Sequence, residues 1–177
     1  MNKKRVIDFM ISFALMIIAI VVTLLPVFKI ENVRLALIFI FSFYTVLKLT
    51  QFVLVWKYKD YQSLFTSIIS LGVLIAVLKV SLTAQNIALI LLIWIGFMCL
   101  VKLKKADFYH DRENKMWILR VFILFIFLTC GLITSINLYY EAGVQELMLG
   151  FFFLINSSLE AIDPIACYII GEENETN

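Results

Sequence analysis

Apolar residues fall in six long runs separated by short polar stretches. The first is Val6–Phe28, broken by Pro26 and closed by Lys29 and Glu31. The second, Leu35–Trp56, is bounded by Arg34 and Lys57. The third, Leu64–Leu78, ends at Lys79 and lengthens if Ser81 and Leu82 join it. The fourth, Ile87–Val101, stops at Lys102, Lys104 and Lys105. The fifth is Trp117–Ile136, and the sixth is Leu147–Ile165 with a polar tail from Gly171 to Asn177. A membrane-crossing helix needs about 20 mostly apolar residues, and hydrocarbon obliges the backbone to pair with itself. None of the runs alternates as a lipid-facing barrel strand does. The predicted fold class is therefore all-α, a polytopic membrane bundle. Its helices lie over 6–28, 35–56, 64–82, 87–101, 117–136 and 147–165. They form one domain, residues 1–170, followed by an acidic tail, 171–177. The third and fourth runs leave a re-entrant pair as an alternative.

Composition supports this reading. Of 177 residues, 63% are hydrophobic and 16% charged, with a mean hydropathy of +0.98. Soluble domains are about 45–50% apolar and about 25% charged. A soluble domain, a disordered chain, a disulfide scaffold and a nucleic-acid module are excluded. Cys99, Cys130 and Cys167 lie in or beside apolar runs without a CxxC pair, so they read as small apolar fillers.

A net charge of +2 says little, but its distribution says more. Lys3, Lys4, Arg5, Lys57, Lys59, Lys102, Lys104, Lys105, Arg112, Lys115 and Arg120 fall on one side of the predicted membrane. The other side has Lys29, Arg34 and Lys79. By the positive-inside rule both termini, and the tail, face the cytoplasm of a cell (inner) membrane. The basic head before the first run looks like that of a signal peptide. The run is longer than a cleaved core of about 7–15 residues and no A-x-A site follows, so it is read as a retained helix.

The odd-numbered helices share a small-xxx-small pair: Ala19/Thr23, Gly72/Ala76 and Gly131/Ser135. Such pairs let helices approach closely in lipid. Their register suggests three copies of a two-helix hairpin. The even-numbered helices align with Lys48, Gly96 and Asn156 at matching places. Three hairpins, a small-residue step in each first helix, the Leu24-Leu25-Pro26 sequence and a cytoplasmic N-terminus resemble the HdeD-like acid-resistance membrane proteins. The resemblance spans about Ile11 to Pro164, and the later positions matching Pro26 hold Lys79 and Leu138. It implies a six-helix inner-membrane protein connected with envelope or acid stress, and it carries over no catalytic residues.

Ionisable residues inside a span mark candidate sites. Lys48 lies well within the second run and shares a face with Tyr44 and Gln51. Asn156, Ser157, Glu160 and Asp163 form a second polar stripe on the sixth helix. Lys48 either snorkels to the interface, pairs with Glu160 to fix packing, or belongs with Glu160 to a proton or substrate path. Asp8 and Arg120 read as interfacial charges, and the Lys102–Lys115 stretch as a basic loop attractive to anionic lipid. His110 reads as a solvated loop residue, and Asp163-Pro164 as the end or a kink of the sixth helix. The chain has no HExxH, Gly-rich phosphate loop or Ser/His/Asp set, so no metal, cofactor or catalytic residue is expected.

The function expected is that of a non-enzymatic membrane protein in envelope stress or membrane maintenance. Its partners are the bilayer and either further copies of itself or a membrane protein, not nucleic acid. A small-solute or proton transporter is one alternative, and an immunity or accessory subunit is another.

Overall fold

The computed structural model describes residues 3–30, 32–58, 60–81, 83–114, 116–138 and 144–169, and excludes the side chains of Cys167 and Tyr168. The acidic tail lies outside these residues. All regular structure among them is helical. α1 spans Lys3–Leu24, α2 Val33–Leu54, α3 Tyr61–Lys79, α4 Ala84–Asp111, α5 Met116–Asn137 and α6 Val144–Ile169. Each is long and apolar enough to cross a membrane. The protein is thus a multi-pass membrane protein, and α3 and α4 are two separate full-length helices rather than a re-entrant pair. α6 has the lowest mean hydropathy of the six, 1.3 against 1.8–2.8, as befits the helix bearing Asn156, Glu160 and Asp163.

Local chemistry sets several of the ends. Pro26 lacks an N–H and cannot continue α1, so the chain tightens into a 3-10 turn, Leu25–Phe28, and Lys29 closes it at φ 60°. Asn32 caps α2 by accepting from the Leu35 N–H at 3.1 Å, and Thr83 caps α4 through the Asn86 N–H at 3.3 Å. A second 3-10 turn, Trp56–Tyr58, leads to α3. Several boundaries need correction. α3 does not reach 82 but stops at Lys79, because Val80 is extended and Ser81 does not join the helix. α4 does not end at Val101 but runs to Asp111, since Lys102–Asp111 contains neither Gly nor Pro to stop it. The stretch read as a basic loop is therefore mostly helix. α6 also passes through Pro164 and continues to Ile169, so Asp163-Pro164 does not end it.

Large apolar side chains such as Met10, Phe13, Val46, Ile68, Phe125 and Ile136 point outward. Hydroxyl groups bond back to their own helix. Thr23 donates to the Ala19 carbonyl, Thr134 to Cys130, Ser135 to Gly131 and Ser157 to Phe153, each at 2.8–2.9 Å. No water is available in hydrocarbon to do this.

The most extensive packing is between α1 and α6, α2 and α3, and α4 and α5. The pairs α1–α2, α3–α4 and α5–α6, the predicted hairpins, touch less extensively. Together these contacts close the six helices into a ring. α2, α4 and α6 run in the same direction. Their inward residues repeat in the same order: Phe41, Trp94 and Phe152–Phe153 first, then Tyr44, Met98 and Asn156. The aromatic layer centres on fully buried Trp94. Its ring lies 5.2–6.1 Å from those of Phe41, Tyr44, Phe127, Phe152 and Phe153. Its indole N–H donates to Ser70 Oγ on α3 at 3.2 Å.

The small-residue pairs divide. A Cβ on Gly131 would meet Ile95 at 2.8 Å and Phe152 at 3.3 Å, and Ser135 and Ala19 are buried. Thr23 packs against Gly150 of α6 so closely that a Cβ there would lie 2.6 Å from the Thr23 backbone nitrogen. Ala76 is half-buried against the core. Gly72 is exposed with nothing within 4 Å of a built Cβ, so it makes no packing contact within the chain.

Candidate functional site

α2, α4 and α6 finish, and α1, α3 and α5 begin, at one end of the ring. This is called the basic end here because Lys3, Lys4, Arg5, Lys57 and Lys104 gather there. Just inside it, past the Tyr44–Asn156 layer, the helices exchange apolar side chains for charges. Lys48 Nζ lies 2.7 Å from Glu160 Oε2 and also donates to Gln51 Oε1 at 3.2 Å. Gln51 Nε2 in turn donates to Asp8 Oδ1 of α1 at 2.7 Å. On the other oxygen of Glu160, Lys102 of α4 stands at 3.7 Å, with its ammonium 4.8 Å from the centre of the Phe127 ring. Asn156 Nδ2 donates to Glu160 Oε1 at 3.1 Å and to the Tyr44 hydroxyl.

One turn further on, Asp163 is clamped in the same manner. Lys105 of α4 pairs with Oδ2 and donates a hydrogen bond to it. Arg120 of α5 places Nη2 2.8 Å from Oδ1, and its guanidinium covers the Tyr109 ring at 3.4 Å. Glu160 and Asp163 are thus each shared by two cations from other helices. The side chains of Lys48, Glu160 and Arg120 are only 9%, 14% and 5% exposed. The network ties α1, α2, α4, α5 and α6 together. α3 joins the ring through hydroxyl groups instead: Ser67 donates to the Thr45 carbonyl at 2.9 Å.

Charges taken out of water cost several kcal/mol each unless matched, so the geometry that matches them decides their effect. Here three carboxylates, Asp8, Glu160 and Asp163, face four cations, Lys48, Lys102, Lys105 and Arg120. A 2.7 Å contact between Lys48 and Glu160 leaves no room for a water or solute between them. The arrangement can hold helices in register. It can also exchange partners, since Glu160 and Asp163 each have two cations within reach.

The structure brings together all five residues singled out for an intramembrane polar site: Lys48, Gln51, Asn156, Glu160 and Asp163. Lys48 meets Glu160 rather than snorkelling away. The register expected for the even helices is wrong, however. Lys48 is level with Lys102 and Glu160, while Asn156 is level with Tyr44. Gly96 faces outward, with nothing within 4 Å of a built Cβ.

Four participants were read as interfacial or loop residues. Asp8 is half-buried against Gln51, Arg120 is 4% exposed, and Lys102 and Lys105 lie on the inner face of α4. Their signals were present: Lys102 and Lys105 continue the inward stripe through Met98, and Arg120 shares the stripe of Met116, Ile123 and Phe127. Glu146 of α6, fully buried near the opposite end, was not anticipated either. His110 is exposed and sets its ring edge-on to Trp117 at 5.2 Å, on the last turn of α4 rather than in a loop. No family model matches the chain, and neither a curated protein nor a solved structure matches it significantly.

Proposed function

We propose that this is a non-enzymatic protein of the cell membrane in which the network at the basic end latches five helices of one closed six-helix ring. Its termini would face the cytoplasm, where the basic residues of that end meet anionic lipid. It would act through its folded surface, in membrane maintenance or envelope stress as the HdeD-like resemblance suggests, on lipid, on copies of itself or on a membrane partner. The observation that carries this reading is the direct Lys48–Glu160 contact at 2.7 Å. The aromatic layer around Trp94 adds to it. That layer lies on the far side of Tyr44 and Asn156 from the charges and interrupts the polar groups partway through the bundle.

Reconstitution into vesicles loaded with a pH-sensitive dye tests the reading against proton transport. Wild-type vesicles should acidify no faster than protein-free ones, while Lys48→Met should lower the unfolding temperature in detergent. Proton flux through the wild type, lost in a fully stable Lys48→Met protein, would overturn it in favour of a transport path.

A further inference from the structure

Lys102 and Lys105 are engaged by Glu160 and Asp163, which directs attention to the corner where α2 turns into α3. A cavity of about 290 Å³ opens there, lined by Phe52, Trp56, Lys57 and Tyr61. Three of the four linings are aromatic. The Phe52 ring stands edge-on to Trp56 at 4.8 Å and tilted to Tyr61 at 6.5 Å. Trp56 and Tyr61 are exposed, 65% and 63%.

This corner lies where the apolar span of α2 ends at Leu54, at the level where amphipathic rings settle among lipid headgroups. Lys57 is exposed and has no carboxylate within ion-pair distance among the described residues. The carboxylate of Asp60 is occupied by the Ser63 hydroxyl at 2.7 Å. Toward the membrane interior, exposed Val53 and Leu49 offer an apolar track one and two turns before Trp56.

We infer that this corner is a binding site for a glycerophospholipid with an anionic headgroup. The phosphate sits at Lys57, the glycerol region rests among the three rings, and an acyl chain runs along Leu49 and Val53. The volume, about 290 Å³, falls just below the range of small-molecule pockets, which begins at about 300 Å³, so it suits a headgroup rather than a whole lipid. Basic pockets on the sides of transmembrane helices select anionic headgroups in this way. The site depends only on the chain spanning a bilayer and is separate from the proposed latch.

The test uses the full-length protein in phosphatidylcholine vesicles. A fraction of the lipid carries bromine on its acyl chains, either as phosphatidylglycerol or as phosphatidylcholine, and tryptophan fluorescence is read. Brominated phosphatidylglycerol should quench more than the same fraction of brominated phosphatidylcholine. The excess should disappear in Trp56→Phe, which leaves Trp94 and Trp117 as controls. In Lys57→Gln, a substitution at an exposed position, about fivefold more phosphatidylglycerol should be needed. Equal quenching by the two lipids, an excess that survives Trp56→Phe, or an unchanged requirement in Lys57→Gln would overturn the assignment.

Discussion

The two halves of the ring are held by different physics. Toward the basic end, Glu160 and Asp163 are each gripped by two cations from other helices of the ring. Toward the opposite end, the contacts are the Thr23–Gly150 approach, the Gly131–Ile95 approach and the rings about Trp94. Lipid tails are as apolar as leucine, so burial alone gives little reason for helices to meet in a bilayer. One half answers with directional ion pairs and the other with close fit. Ion pairs fail when a partner is removed. Close fit fails when an atom is added.

The largest expected effect breaks the charged half. Glu160→Gln strands Lys48 and Lys102 together, and removal of one partner from a buried pair costs about 3–5 kcal/mol. Denaturant titration of the detergent-solubilised protein should show that loss, with Lys48→Met less affected because Glu160 keeps Lys102. The next effect breaks the close-fit half. Gly150→Ala pushes a methyl group into the Thr23 backbone, which cannot yield as a side chain can, and should cost about 3 kcal/mol by the same titration. Gly131→Ala meets only the flexible end of Ile95 and the edge of Phe152, so its cost should be nearer about 1 kcal/mol. Gly72→Ala and Gly96→Ala, with open space at each Cβ, should cost nothing and, by helix propensity, raise stability by up to about 1 kcal/mol. If all four glycine variants cost the same, the account of the close-fit half is wrong.

This contrast also explains what could be read from the chain. Six spans follow from run length and the cost of unpaired amides in oil, and the described residues form six helices long and apolar enough to cross a membrane. The polar stripes of α2 and α6 follow from helical spacing, and their meeting at Lys48 and Glu160 was among the outcomes foreseen. The cationic side of the site was less legible. Lys102 and Lys105 end an apolar run, and a lysine at that place is usually solvated. Only the absence of a helix breaker before His110 indicates that α4 continues and keeps them on its inner face. Register between the even helices does not follow from their small residues, because Gly96 faces outward and constrains nothing inside the chain. Neighbour choice lies beyond pattern: α1 packs on α6 because Thr23 and Gly150 allow close approach, and no local spacing connects positions so distant in sequence.

The central claim, that the Lys48–Glu160 contact is a latch, is tested most directly by a double-mutant cycle. Unfolding free energies of the wild type, Lys48→Met, Glu160→Gln and the double variant would be measured under one condition. The account predicts that the double variant loses less than the sum of the single losses, by about 1 kcal/mol or more, because the partner left unpaired in one single variant is absent from the double. Additivity within about 0.3–0.5 kcal/mol would contradict it, since the two groups would then not be holding one another.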